Sequence, residues 1–104
     1  MSSSPSPGGS APVPVEVRNN LSESRFEALV DGHLSVVDYA RQGDTLVLPH
    51  TFVPPALRGR GIAEKLVRTA LDYARTEKLK VVPSCSYVAL YIERHPDFKS
   101  LLSA

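Results

Sequence analysis

Residues 58–63 read Arg-Gly-Arg-Gly-Ile-Ala, and these residue types in this order suit the holding of an anion. Pro54 and Pro55, just upstream, end a strand because proline cannot donate to a ladder. An apolar stripe with helical spacing starts at Ile62. The first amides of a helix have no acceptor inside it, and the helix dipole adds partial positive charge there. Glycines let a ligand approach the main chain and permit unusual φ values. A phosphate fits such a place, and Arg58 and Arg60 add charged donors. The same residues also describe a solvated basic turn opening a helix, and spacing alone leaves both readings open. Some phosphate motifs are excluded. A Walker loop needs Lys-Ser/Thr after its last glycine, where this chain has Ile62-Ala63, and the dinucleotide pattern GxGxxG needs a glycine where Glu64 stands. An Arg-Gly-Gly RNA-binding segment belongs to low-complexity sequence, not to the mouth of an apolar-striped helix.

Few other residues could do chemistry. Cys85 is the single cysteine, which excludes an internal disulfide and a cysteine-rich zinc site. A lone thiol is a nucleophile if its pKa falls or a base attends it, and otherwise a small core side chain. His50 lies in a strand, where an imidazole either takes a proton near neutral pH or is a half-buried partner across the sheet. His33 reads as a hairpin surface residue and His95, before Pro96, as a helix C-terminal cap. No spacing suggests a metal site.

These residues need elements to hold them. From Val15, "VEVRN" alternates apolar and polar, as a half-buried strand does. "RFEALV" alternates again, Asp31-Gly32 is a tight-hairpin pair, and "HLSVVDYAR" returns. Gln42-Gly43-Asp44 turns the chain into a fourth strand, "TLVLPHTFV". Ile62, Ala63, Leu66, Val67, Ala70, Leu71 and Ala74 then recur at helical spacing. "LKVVP" reads as a short strand, a second helix runs from about Ser86 to Arg94, and "DFKSLL" reads as a closing short strand. The expected fold is α+β: an antiparallel four-strand meander, then α-β-α on a mixed sheet. Residues 1–14, rich in Ser, Pro and Gly, read as a disordered leader, and 15–104 as one domain.

Composition narrows the function. With 104 residues, 42% hydrophobic and a formal net charge of +1, the chain can bury a modest core. It has no general pull toward nucleic acid or membranes. No apolar run reaches membrane-spanning length and no secretory signal is visible, so the expected setting is cytoplasmic.

Arg58-x-x-Gly61-x-Ala63 resembles the R/Q-x-x-G-x-G/A signature of the GNAT superfamily of acetyl-CoA-dependent N-acetyltransferases. The similarity extends upstream through "HTFVPPALRGRGIAEKLV" and downstream to "ALYIERHPDF", and covers roughly residues 15–102. The resemblance implies that the main chain of Arg58, Gly59, Arg60, Gly61, Ile62 and Ala63 holds the pyrophosphate of acetyl-CoA. It puts the pantetheine arm along Thr51, Phe52 and Val53, near a bulge that splays the fourth and fifth strands. It puts Cys85 near the thioester, as a nucleophile or a structural thiol. It makes Tyr91, with Tyr87 one turn earlier, a proton donor to the departing CoA thiolate, and His50 a general base. Typical members carry one or two helices between their first two strands, which help wall the acceptor site, and residues 19–24 leave no room for them. The chain thus resembles the small single-domain subgroup. The implied activity is acetyl transfer to an amine, small or on a protein, without a metal. The second reading is a CoA- or acyl-CoA-binding module with little catalysis. A homodimer could supply the missing wall.

Overall fold

The computed structural model describes residues 15–102; the leader expected at 1–14 lies outside them. Strands β1 (Arg18–Asn20), β2 (Arg25–Val30), β3 (His33–Gln42) and β4 (Thr45–Phe52) precede helix α1 (Ile62–Thr76), strand β5 (Lys80–Val82), helix α2 (Ser86–Arg94) and a 3-10 segment (Pro96–Leu101). They form one five-stranded sheet in the order β1-β2-β3-β4-β5. Neighbours within the first four strands are antiparallel, and β4–β5 is parallel. A parallel pair cannot be joined by a tight turn, so α1 is the crossover. The chain is thus an α+β fold with the meander and α-β-α order that the periodicities dictate.

Asp31 and Gly32 turn β2 into β3 with φ of 51° and 77°, the positive pair that an Asp-Gly hairpin requires. Phe26, Ala28 and Val30 of β2 and Val37 and Tyr39 of β3 then point to one face. α1 covers that face with its stripe of Ile62, Leu66, Val67, Ala70, Leu71 and Ala74. Val88, Tyr91 and Ile92 of α2 and Phe98 of the 3-10 segment complete the same core. Truncating one of these leucines to alanine costs about 2–5 kcal/mol.

Two elements differ from expectation. The first strand is Arg18–Asn20 rather than residues 15–19. Val15 and Val17 are packed against the core without being in the ladder, so their alternation reports burial and not pairing. "DFKSLL" forms a 3-10 segment with Pro96 in its first turn, and Leu102 alone bridges to Val81. Phe98 and Leu101 are both buried, and their spacing of three is the repeat of a 3-10 helix.

The feature that shapes the site is a register shift between β3 and β4. Val36, Val37 and Asp38 face Phe52, Thr51 and His50, whereas Ala40 faces Val47. Tyr39 therefore spans two residues of β4, Leu48 and Pro49, which is a β-bulge. Leu46 and Leu48 are fully buried on the helix side. An unbroken alternation would put His50 and Phe52 there too. The bulge instead gives that side to Thr51 and Val53, and turns His50 and Phe52 to the sheet's other face, which no helix among the described residues covers.

Between β1 and β2 lie only residues 21–24, in a hydrogen-bonded turn. No helix stands there, and none of the described helices is long and apolar enough to cross a membrane.

Candidate functional site

β4 runs into a 3-10 turn at Pro55–Leu57, closed by the Arg58 amide donating to the Pro55 carbonyl at 3.3 Å. Gly61 is the N-cap of α1 at φ 78°, ψ 13°, a left-handed conformation costly for any residue with a Cβ. The first hydrogen bond into α1 comes from Lys65, donating to the Gly61 carbonyl at 3.1 Å. Among the described residues, the six consecutive amides from Gly59 to Glu64 have no hydrogen-bond acceptor. They border a cleft of about 380 Å³ lined by Val53, Leu57, Arg58, Gly59, Gly61, Ile62, Ala63, Glu64 and Tyr87. Unpartnered main-chain donors at a helix N-terminus, with glycines allowing close approach, suit an anion such as a phosphate.

The two arginines of the loop are held differently. Arg58 lines the cleft, and its Nε donates to the Val53 carbonyl at 3.0 Å, tying the loop to the end of β4. Arg60 turns away, with Nη1 2.9 Å from Asp31 Oδ2 in the β2–β3 turn.

β4 and β5 pair only from Thr45–Lys80 to Val47–Val82. Beyond the bulge they separate. The Cys85 amide donates to the Leu48 carbonyl at 2.9 Å, so the start of α2 is fastened at the bulge. Cys85 is the N-cap of α2 and half-buried, with Sγ 3.6 Å from Thr51 Oγ1. Its pKa lies below the ordinary thiol value. Burial is the largest single influence and pushes it up, but the amides of Val88 and Tyr87 and the hydroxyl and main chain of Thr51 together outweigh it. The two amides act by facing the sulfur, since no capping hydrogen bond is closed.

On the opposite side of β4, His50 Nδ1 is 3.1 Å from Asp38 Oδ2. A carboxylate only accepts, so Nδ1–H donates. Asp38 was not singled out in the sequence. Pro49 was the available signal, because a proline inside a central strand marks a bulge, and the bulge sets which residue His50 faces.

Tyr91 is buried and stacks on the His95 ring with centroids 4.0 Å apart. Its hydroxyl, above all other neighbours, raises the Arg68 pKa, so it faces α1. His95 Nδ1 donates to the Tyr91 carbonyl at 2.8 Å at the end of α2. The tyrosine lining the cleft is Tyr87. Burial first, then the Glu64 carboxylate and Tyr91, raise its pKa. The structure thus gathers Val53, Arg58, Gly59, Gly61, Ile62 and Ala63 on one cleft and Thr51 with Cys85 beside the splay. It sets Phe52 and His50 across the strand, and Tyr91 beneath the surface. Among the described residues, no three His, Cys, Asp or Glu side chains converge as metal ligands.

A mixed sheet with a β4 bulge and a glycine-bearing loop opening the crossover helix is a GNAT-like fold. Residues 25–101 match the family model described as GCN5-related N-acetyl-transferase, and the chain belongs to that family. It is 36% identical over 86 residues to Protein NATD1 of Gallus gallus and of Mus musculus, covering 80% of this chain and 78% of each relative. The NATD1 of Homo sapiens is also 36% identical over 86 residues, with 76% of its length covered. In structure the chain is similar to a GCN5-like protein from Staphylococcus aureus solved in solution. The TM-score is 0.68 at 24% identity, over 86% of this chain and 88% of that one.

Proposed function

We propose that this protein transfers the acetyl group of acetyl-CoA to a primary amine. The observation that carries the reading is the row of unpartnered amides from Gly59 to Glu64 along the cleft, supported by family membership. In this reading the amides of residues 59–63 hold the pyrophosphate, while the Arg58 amide, expected among them, is taken by the Pro55 carbonyl. The free edge of Thr51, Phe52 and Val53 runs beside the pantetheine, and Cys85 lies toward the thioester.

Acetyl-CoA supplies the acetyl group as an activated thioester. The depressed pKa of Cys85 supports a relay. Its thiolate bonds to the acetyl carbon as the carbon–sulfur bond to CoA breaks, and the CoA sulfur leaves with the electron pair and takes a proton from Tyr87, which lines the cleft in place of the expected Tyr91. The amine then bonds to that carbon, the bond to Cys85 breaks, and the thiolate is restored. His50, with Nε2 free on the uncovered face, takes the proton that the amine loses. The second reading, a CoA-binding module with little turnover, is favoured by one observation: the four-residue link at 21–24 leaves the acceptor side unwalled.

Calorimetry with CoA tests the shared premise, and release of the CoA thiol from acetyl-CoA across an amine panel tests turnover. Binding in the micromolar range with amine-dependent release is the expected result. Affinity weaker than about 1 mM sinks both readings, since it corresponds to only about 4 kcal/mol.

A further inference from the structure

The uncovered face of the sheet carries a row of side chains that the cofactor cleft does not use. Following the strand register, Leu29 faces Leu34, Val36 faces Phe52, and Asp38 faces His50, all on this one face. Leu29 is 69% exposed, Leu34 37% and Phe52 43%, with Val36 buried at 9% between them, so exposed apolar side chains flank a covered valine. The row's far end opens into a depression of about 770 Å³ that Leu29 and Leu34 help line. At its near end the Asp38 carboxylate accepts from the His50 ring and stands opposite Arg25 in the β2–β3 register. The neighbouring Arg25 guanidinium is turned to Glu27, 2.8 Å away.

We infer that this face is a binding site for an amphipathic primary amine, with its ammonium head on Asp38 and an uncharged apolar arm along Val36, Phe52, Leu34 and Leu29. This rests on the acetyl-transfer reading and names the acceptor class for it. The charge of the head is complementary to Asp38. Leu34 and Asp38 are four residues apart on β3, a span of about 13 Å at strand rise, so the arm is a chain of up to about ten carbons. Glu27, opposite Val36 on this face, is already paired with Arg18 and Arg25; the rest of the floor is hydrocarbon and offers no partner to a peptide main chain, whose polar groups must be satisfied, so an alkyl or arylalkyl arm fits better than a peptide. A polyamine carries charge along its length and has no apolar arm for Phe52, Leu34 and Leu29 to hold, which disfavours it.

The test is calorimetric binding of n-alkylamines from ethylamine to decylamine, and of spermidine, to the protein alone and with CoA. Calorimetry with CoA by itself judges the acetyl-transfer reading separately. Affinity is expected to rise by about twofold per methylene, roughly half the gain of full burial on this open face. Leu29→Ser and Leu34→Ser should flatten that rise. Asp38→Asn should weaken every amine about equally and leave the rise intact. Affinity independent of chain length, or spermidine binding as tightly as octylamine, overturns the inference. So does a concentration-dependent dimer that Leu29→Ser dissociates without changing amine affinity, since a second copy would then be the occupant.

Discussion

The Arg60 guanidinium of the glycine loop lies 2.9 Å from the Asp31 carboxylate of the β2–β3 turn. The pair ties the glycine loop after β4 to the β2–β3 hairpin. Both side chains are about half exposed, so the bond contributes little to stability, about 0–1 kcal/mol. It nevertheless occupies one of the loop's two arginines. In Asp31→Asn the turn keeps a residue that tolerates positive φ and Arg60 is released. If Arg60 then reaches phosphate, CoA binds up to about fivefold tighter; weaker CoA binding by calorimetry shows instead that Asp31 holds the loop ready.

Cys85 offers a readout that needs no acceptor. The groups around it favour the thiolate, so its alkylation by iodoacetamide should rise with pH at a midpoint below that of an ordinary thiol. Thr51→Val removes the hydroxyl 3.6 Å from the sulfur and leaves burial, which favours the neutral form. The midpoint should move up. An unchanged midpoint would show that the Thr51 hydroxyl has no part in holding the thiolate.

Glu27 is a nearly buried carboxylate on the uncovered face, 2.8 Å from Arg25 and 3.2 Å from Arg18. Its pKa is lowered, first by the hydrogen bond from Arg25, against an opposing effect of burial. A carboxylate with a depressed folded pKa binds fewer protons folded than unfolded. Its stabilisation is therefore complete above the ordinary glutamate value of about 4.3 and is lost as pH falls through the lower folded value. Urea titrations across that acid range should show stability declining with pH, and Glu27→Gln should make the decline shallower while lowering stability at neutral pH by about 1–2 kcal/mol.

Ser35 is fully buried on β3 opposite Ala28, and its hydroxyl has no hydrogen-bond partner among the described residues. Such a group costs about 1–3 kcal/mol. Ser35→Ala should raise the melting temperature by about 4 °C or more. A loss of stability in calorimetric scans would mean that the hydroxyl is satisfied after all.

Element order was legible because each element carries its own period: two in β2 and β3, three to four along α1. The loop was legible because its glycines and prolines are positional. The site's sidedness was not. His50 and Thr51 are adjacent, yet one faces Asp38 and the other Cys85, and that division depends on Leu48 and Pro49 together opposing Tyr39. Periodicity places a residue on a strand but does not count the partner strand's residues. Tyr87 and Tyr91 were ambiguous for a related reason. Four residues apart they share one side of α2, and only their distance from the helix start decides which meets the cleft.

The bulge also makes the chain's length matter at one point. Deleting Pro49 would leave one residue, Leu48, opposite Tyr39 and so remove the bulge. The sides would not change, because His50 would follow the inward Leu48 directly and stay on the outer face, with Thr51 inward beside it. What would go is the local bend and added twist that a bulge gives a strand. Pro49 thus sets how β4 leaves the sheet, while the residues after it keep their own alternation.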